Sequence, residues 1–326
     1  MNQNNLNYSG QYLDDKYFKI KIATGGDIYQ AAETAVAGEM FLVTGVQPAL
    51  YAAKSTSAFS DGIMDHDIYK VKDLTNVPKI KNVSLMEFPG ITTRFNDYSL
   101  SFNGVDDYLD TNSTFQSTFQ SAFSVSMWFK FDDVSANDKA LFGADNTDYY
   151  DRILIWKNTS NQIAAFYTAN QQAVGAIYSS GATVTNWNHL VYVVQQNGSS
   201  VETELYINGV SQDTSSATST MANYGTVNTG ADVFIGAKNE VPIGGHTLPA
   251  DALIDEAAII PSALSLSDVT AIYNSGVPAD LTSYSPVSWW RMGDAENGSG
   301  TTITDQGSGG NDGTINGATF SNDIPQ

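Results

Sequence analysis

Phe123, Val125, Met127, Phe129 and Phe131 alternate with Ser124, Ser126, Trp128 and Lys130, a strict period of two. Such a period puts the apolar side chains on one face of an extended strand and fits no helix, whose period is 3.6. The pattern recurs downstream. His189-Leu-Val-Tyr-Val-Val194 runs into Asn197-Gly198, and Glu204-Leu-Tyr-Ile207 runs into Asn208-Gly209. Asn-Gly supplies the two positive-φ positions of a tight hairpin. Five such dipeptides occur, at Asn103, Asn197, Asn208, Asn297 and Asn316, all beyond residue 95. One helix is expected: Ser265 and Asp268 form a capping-box-like start, Val269, Ile272 and Tyr273 make a stripe, and Gly276 ends it. Many strands with one short helix read as an all-β sandwich. A tandem Ser-Thr-Phe-Gln at 113–116 and 117–120 spaces Phe115, Phe119 and Phe123 four apart, read as core filling.

Charge divides the chain. Residues 1–95 hold nine basic and ten acidic side chains, whereas residues 96–326 hold six basic and twenty-five acidic. A near-neutral segment can rest against a large partner without long-range repulsion, and a strongly acidic one stays outward and soluble; an acidic surface imposed by the organism or compartment explains the split equally well. The overall net of −20 disfavours nucleic acid and anionic lipid, because both are bound by Lys and Arg neutralising phosphate. With no cysteine, a disulfide framework, a thiolate metal site and a cysteine nucleophile are excluded. No run of eighteen apolar residues spans a membrane, and MNQNNLNYSG carries neither the basic flank nor the apolar stretch of an export signal.

The first segment reads as short strands: Phe18, Ile20 and Ile22 alternating with Lys19 and Lys21, then a turn at Gly25-Gly26, then Glu39–Thr44, Leu50-Tyr51 and His66–Val71. About ninety residues so divided have a marginal core alone. Val77-Pro78 to Pro89-Gly90 reads as a connector.

Several blocks carry a resemblance. Leu100-Ser-Phe-Asn-Gly-Val-Asp-Asp-Tyr-Leu109 resembles the opening of laminin-G-like domains of the concanavalin A-like lectin/glucanase superfamily. Phe123–Trp128, Trp187–Leu190, Leu205–Val210, Phe234–Ala237, Ala252–Ala257 and Ala263–Tyr273 are similar to later family blocks, in the same order. The resemblance covers roughly 97–276 and implies a laminin-G-like jelly-roll β-sandwich. Val287-Ser-Trp-Trp-Arg-Met-Gly-Asp294 through Asn311–Gly317 resembles what usually precedes the opening block, yet comes last here. The expectation is a circular permutant, rather than a remnant repeat, because Trp289 and Trp290 bury too much ring surface to be left in water. Gly38–Gly45 with Pro48-Ala-Leu-Tyr51 resembles a short motif of tailed-bacteriophage structural proteins. The domains expected are therefore 1–95, a small β-rich N-terminal docking module with its connector, and 96–326, the sandwich, with 285–320 closing it.

For chemistry, metal binding is the first candidate. Asp106 and Asp107 adjoin the Asn103-Gly104 turn, and Asp255 interrupts an apolar strand, where a lone carboxylate is costly. Hard oxygen donors without Cys suit Ca²⁺. The resemblance places Asn103, Asp107 and Asp255 near a calcium position at the sandwich edge. The alternative is that Asp106 and Asp107 shape a turn and Asp255 accepts backbone hydrogen bonds. Tyr149, Tyr150 and Tyr224 lie in polar contexts and are the glycan-binding candidates; packing is the competing use of each. The acidic loop 145–151 is read as solvated. No catalytic residue is expected: His66, His189 and His246 fall in no metalloprotease or nucleophile-elbow motif, and Glu202-Thr-Glu204 is an exposed pair.

The resulting expectation is a non-enzymatic bacteriophage virion structural protein, such as a capsid decoration or fibre. Residues 1–95 would hold it to other virion proteins, and the sandwich would meet host-surface glycans. A homo-oligomer, a trimer by analogy with such appendages, is expected. The alternative is a secreted or cell-surface bacterial glycan-binding module.

Overall fold

The computed structural model describes residues 96–146, 150–179, 183–226, 231–241 and 244–325, together with the backbone of four strands in the first segment. Those are β1 (Ile20–Ala23), β2 (Met40–Val43), β3 (Ala49–Ala53) and β4 (Ile68–Lys70). They form one sheet in chain order, with β1 parallel to β2 and the other pairs antiparallel. The connector at 77–90, the Gly25-Gly26 turn, His66 and Tyr149 lie outside the described residues.

The acidic segment folds as two facing sheets. The first runs β14 (Val210–Thr218), β13 (Ser200–Ile207), β12 (Asn188–Asn197), β7 (Phe123–Phe131), β18 (Asp251–Ile260), β5 (Ser99–Asn103) and β22 (Thr319–Ser321). A further strand, β19 (Ser288–Trp290), pairs with β18. The second sheet runs β11 (Gln172–Tyr178), β10 (Ile163–Ala169), β9 (Arg152–Lys157), β8 (Lys139–Asp145), β15 (Phe234–Ile235), β6 (Tyr108–Asp110), β21 (Gly313–Asn316) and β20 (Thr302–Ile303). β16 (Lys238–Glu240) joins β8, and β17 (Gly245–Thr247) joins β16.

The local chemistry explains these strands. On β7 the period-two residues Phe123, Val125, Met127, Phe129 and Phe131 all enter the core between the sheets. The β13–β14 hairpin turns on Asn208 and Gly209, at φ of 51° and 77°, between the paired residues Ile207 and Val210. This is the two-residue turn whose twist matches its strands. Phe115 and Phe119 flank a single helical turn, α1 (Gln116–Phe119), and both are buried with Phe123.

Residues 288–321 contribute to both sheets: β22 pairs with β5, and β21 with β6. Trp290 is fully buried in the main core, its ring edge-on to Phe115 and its Nε1 donating to the Asn311 carbonyl at 2.8 Å. Asp305 anchors the return loop, accepting from Ser288 Oγ and from the backbone N–H groups of Trp289, Gly307 and Asn311.

The outer face of the first sheet is covered over β12 and β18. Helix α2 (Leu266–Tyr273) starts at a reciprocal capping box of Ser265 and Asp268. It lays Val269 and Ile272 over Val191, Val193, Ala258 and Ile260, with Leu281 and Trp289 completing a second apolar cluster. The second sheet has no such helix among the described residues. No described helix is long and apolar enough to cross a membrane.

Candidate functional site

The expected calcium ligands do not converge. Asn103 pairs across the sheet with Asp251, whereas Asp255 sits four positions further along β18, opposite Trp128. Four residues of extended strand span about 13 Å, well beyond a shared coordination sphere. The turn residues are spent on the turn itself. Asn103 Oδ1 accepts from the N–H groups of Val105 and Asp106, its amide donates to Asp106, and Asp107 accepts from the Asn103 N–H. Lys139 Nζ donates to the Gly104 carbonyl at 3.1 Å, placing a cation beside the turn already. Asp255 is fully buried, accepting from Asn96 at 2.8 Å and from the Glu256 N–H at 2.7 Å. Asn103, Asp106, Asp107 and Asp255 therefore do not fit one Ca²⁺ site. No cluster of three or more metal-ligating side chains occurs among the described residues.

Beside Asp255 the strand bulges, and Glu256 adopts φ of 51°. This left-handed geometry costs a residue with a β-carbon about 1–2 kcal/mol. The bulge turns the Glu256 carboxylate toward Trp289 Nε1 (2.6 Å) and Arg291 Nε (3.3 Å), so it clamps the C-terminal segment.

The tyrosine candidates separate. Tyr224 is 1% exposed, stacked on Tyr167 and edge-on to Phe119. Its polar sequence neighbours hid a core position, and it offers no surface to a sugar. Tyr150 is half-buried, and its carbonyl accepts from the Gln171 N–H. Asp151 next to it is buried and accepts from Asn146 and the Asn170 N–H, so this end of the loop is packed rather than solvated. His189 is buried against Trp128, while His246 lies half-exposed on the Tyr108 ring.

The open face of the second sheet brings together side chains that the sequence reading passed over. On β9, Ile153 and Ile155 enter the core, so Arg152, Leu154 and Trp156 point outward. Trp156 pairs with Ala164 on β10, and Ala164 pairs with Tyr178 on β11. Phe166 is the next outward residue on β10 and carries the Arg152 guanidinium over its ring, 5.1 Å from the centroid. Trp156 and Phe166 are half-exposed, and Tyr178 is 40% exposed. Ala164 between them is fully buried although it faces outward, so its larger neighbours close over it.

An ionic strip borders this ledge. Asp145, fully buried, takes Arg152 Nε at 2.9 Å and Lys238 Nζ at 3.3 Å. Lys238 also reaches Glu240 at 2.8 Å, which accepts the Thr247 hydroxyl. Burial pushes the Asp145 carboxyl above the ordinary range, against the opposing pull of Arg152 and Lys238. Gly143 makes the strip compact: a β-carbon there would lie 2.9 Å from Leu154 Cδ1 and 3.2 Å from Lys238 Cγ. Further along, Phe234, Tyr108 and His246 stack in sequence at 4.4 and 4.9 Å.

A family model described as the concanavalin A-like lectin/glucanases superfamily matches residues 103–270, just over half the chain. The chain is similar to a heptameric SAP-like pentraxin of Limulus polyphemus, at 15% identity over 55% of this chain and 82% of the other, with a TM-score of 0.39. It is similar to a candidate carbohydrate-binding protein of Bacteroides ovatus, at 15% identity over 89% and 71%, with a TM-score of 0.49. A third similar structure is the CBM40 of the Ruminococcus gnavus IT-sialidase, at 9% identity over 54% and 97%, with a TM-score of 0.41. No curated protein matches the chain.

Proposed function

The chain belongs to the concanavalin A-like lectin/glucanases superfamily, and from that premise we propose that it is a non-enzymatic adhesive protein of a bacteriophage virion, whose sandwich holds glycan on its open sheet face. The observation that carries the glycan reading is the outward group of Tyr178, Trp156 and Phe166 on the second sheet. A pyranose offers one face of C–H bonds and a rim of hydroxyls. Partly exposed rings pack on the former, and polar neighbours take the latter. Retention on immobilised glycans, lost when Trp156 and Tyr178 are both replaced by Ala, tests it. Unchanged retention in the double variant refutes the assignment to this face.

Glycoside hydrolysis needs two carboxyls flanking the scissile bond. Asp145 and Glu240 are committed to Arg152 and Lys238. Asp110 and Asp232 are neighbouring carboxyls, and burial first, then the Asp110 charge, raises Asp232. They belong to the β6–β15 region, two to three strand spacings or about 10–14 Å from β9. Loss of polysaccharide viscosity that disappears in Asp232→Asn would replace the adhesive reading with an enzymatic one; no loss is expected.

The virion setting rests on the near-neutral first segment and on the Gly38–Gly45 motif. Residues 1–95 would contact other particle proteins, in a homo-oligomer. Mass spectrometry of purified particles tests this, and absence of the chain from them refutes it. Recovery from the bacterial envelope without phage would favour the cell-surface alternative.

A further inference from the structure

We infer that the open face takes a neutral, extended glycan chain laid across the strands, and not a sialylated, uronic or sulfated one. This rests on the glycan reading above and deepens it. Residues 96–326 contain six basic side chains, and each already has a partner inside the fold. Lys130 pairs with Asp323, Lys139 holds the Gly104 carbonyl, and Arg291 joins Glu256 to Asp294. Lys157 is fully buried, donating to the carbonyls of Ser135 and Asn137 and to Asn161. On the open face itself, Arg152 and Lys238 are held by Asp145 and Glu240.

An anionic sugar would have to displace one of these internal carboxylates. It would also have to approach a domain with twenty-five acidic residues against the six basic ones. A neutral chain meets neither cost.

The spacing of the rings sets the ligand's length and direction. Tyr178 and Trp156 lie in one cross-strand row with Ala164 between them, two strand spacings or about 10 Å apart. A single pyranose is too narrow to cover both rings. Two units of one chain running perpendicular to the strands cover them, with Ala164 forming the low point between. Phe166, one outward position further along β10, widens the platform on the Arg152 side.

The experiment is isothermal titration of the full chain with neutral oligosaccharides of one to six units (cello-, chito-, manno- and xylo-series). Sialyllactose, oligogalacturonate and a sulfated oligosaccharide form the acidic arm. Binding to at least one neutral series is expected, with affinity rising at least tenfold from one unit to four. Tyr178→Ala and Trp156→Ala should each weaken it about tenfold, a loss of about 1.4 kcal/mol. Tyr178 is exposed enough for its truncation to leave the fold intact, which an unchanged unfolding midpoint verifies. Binding confined to the acidic ligands, or neutral binding indifferent to both variants, overturns this inference and leaves adhesion standing. No binding in either arm overturns adhesion as well.

Discussion

Replacing His189 by Phe should destabilise the sandwich at neutral pH and stabilise it in acid. His189 is buried, with its Nε2 2.9 Å from Ser126 Oγ and its ring packed against both Trp128 and Tyr273, which also touch each other. Its Nδ1 finds no hydrogen-bond partner among the described residues. Burial alone pushes the imidazole down to about 3 from 6.5. The unfolded chain therefore takes up a proton that the folded chain refuses between those values, and stability falls as pH drops through that window. At 1.36 kcal/mol per pH unit, the loss is about 3 kcal/mol at pH 4 and about 4 kcal/mol at pH 3, tending to about 5 kcal/mol below it. Phenylalanine keeps the ring contacts but strands the Ser126 hydroxyl, at about 1–2 kcal/mol at pH 7. The two stability curves should then cross near pH 5.5. Asp107, Asp145, Asp232 and Asp251 are all raised by burial, so their own acid response runs the opposite way and is common to both proteins. Only the difference between the proteins isolates His189. All five tryptophans lie beyond residue 95, so urea unfolding followed by their fluorescence reports the sandwich alone. A difference that stays constant from pH 7 to pH 4 refutes the reasoning.

Trp290→Ala should cost about 3–5 kcal/mol, because it empties a fully buried site and leaves the Asn311 carbonyl unpaired. For a domain of this size that is a fall of about 10 °C in the thermal midpoint, and a fall of under about 2 °C would show that the C-terminal strands are dispensable. Lys157→Met should leave three oxygen acceptors around 135–161 without their donor, at about 2–3 kcal/mol. Faster amide exchange across 133–138 is the local readout, and unchanged exchange would contradict it. Chelation by EDTA should leave the melting temperature unchanged, since Asn103, Asp106, Asp107 and Asp255 do not gather around one point; a chelator-dependent drop would reveal an ion held by other groups.

The sandwich was legible because its determinants are local. Period-two runs, the Asn208-Gly209 turn and the Ser265–Asp268 box each depend on neighbours within a few positions, so the sequence displays them directly; at Asn197-Gly198 the turn slips by one, onto Gly198 and Ser199. The binding face was not legible, for a physical reason. In Arg152-Ile-Leu-Ile-Trp-Lys157 all six residues are buried or half-buried, and the run reads as one largely apolar strand. Which of Leu154, Trp156, Ile153 and Ile155 faces water depends on whether anything covers the outer side. On the first sheet α2 and Trp289 cover it; on the second nothing described does. Tyr224 failed in the other sense. Its polar neighbours announced a loop, correctly, but a loop that dips between the sheets to stack on Tyr167. Sequence context reports the backbone's surroundings better than a large ring's destination.

Asp255 and Glu256 show how a family-like block can be right about position and wrong about use. A carboxylate inside an apolar strand must be satisfied, and calcium was one way to satisfy it. The fold uses another. Asn96 and the Glu256 N–H saturate Asp255, and the bulge they stabilise swings Glu256 onto Trp289 and Arg291 of the closing segment. The two acids thus join the first residues of the sandwich to its last strands, which arrive at the opposite end of the chain. The tie lies where the closing segment is added, since β19 pairs with β18 and β22 with β5. On this argument Glu256→Gln, which keeps the acceptor for Trp289 but drops the charge facing Arg291, should loosen β19 and β22 more than β7 or β12. Hydrogen exchange read strand by strand would show it, and uniform loosening of both sheets would mean that the acids serve the sandwich as a whole rather than its closure.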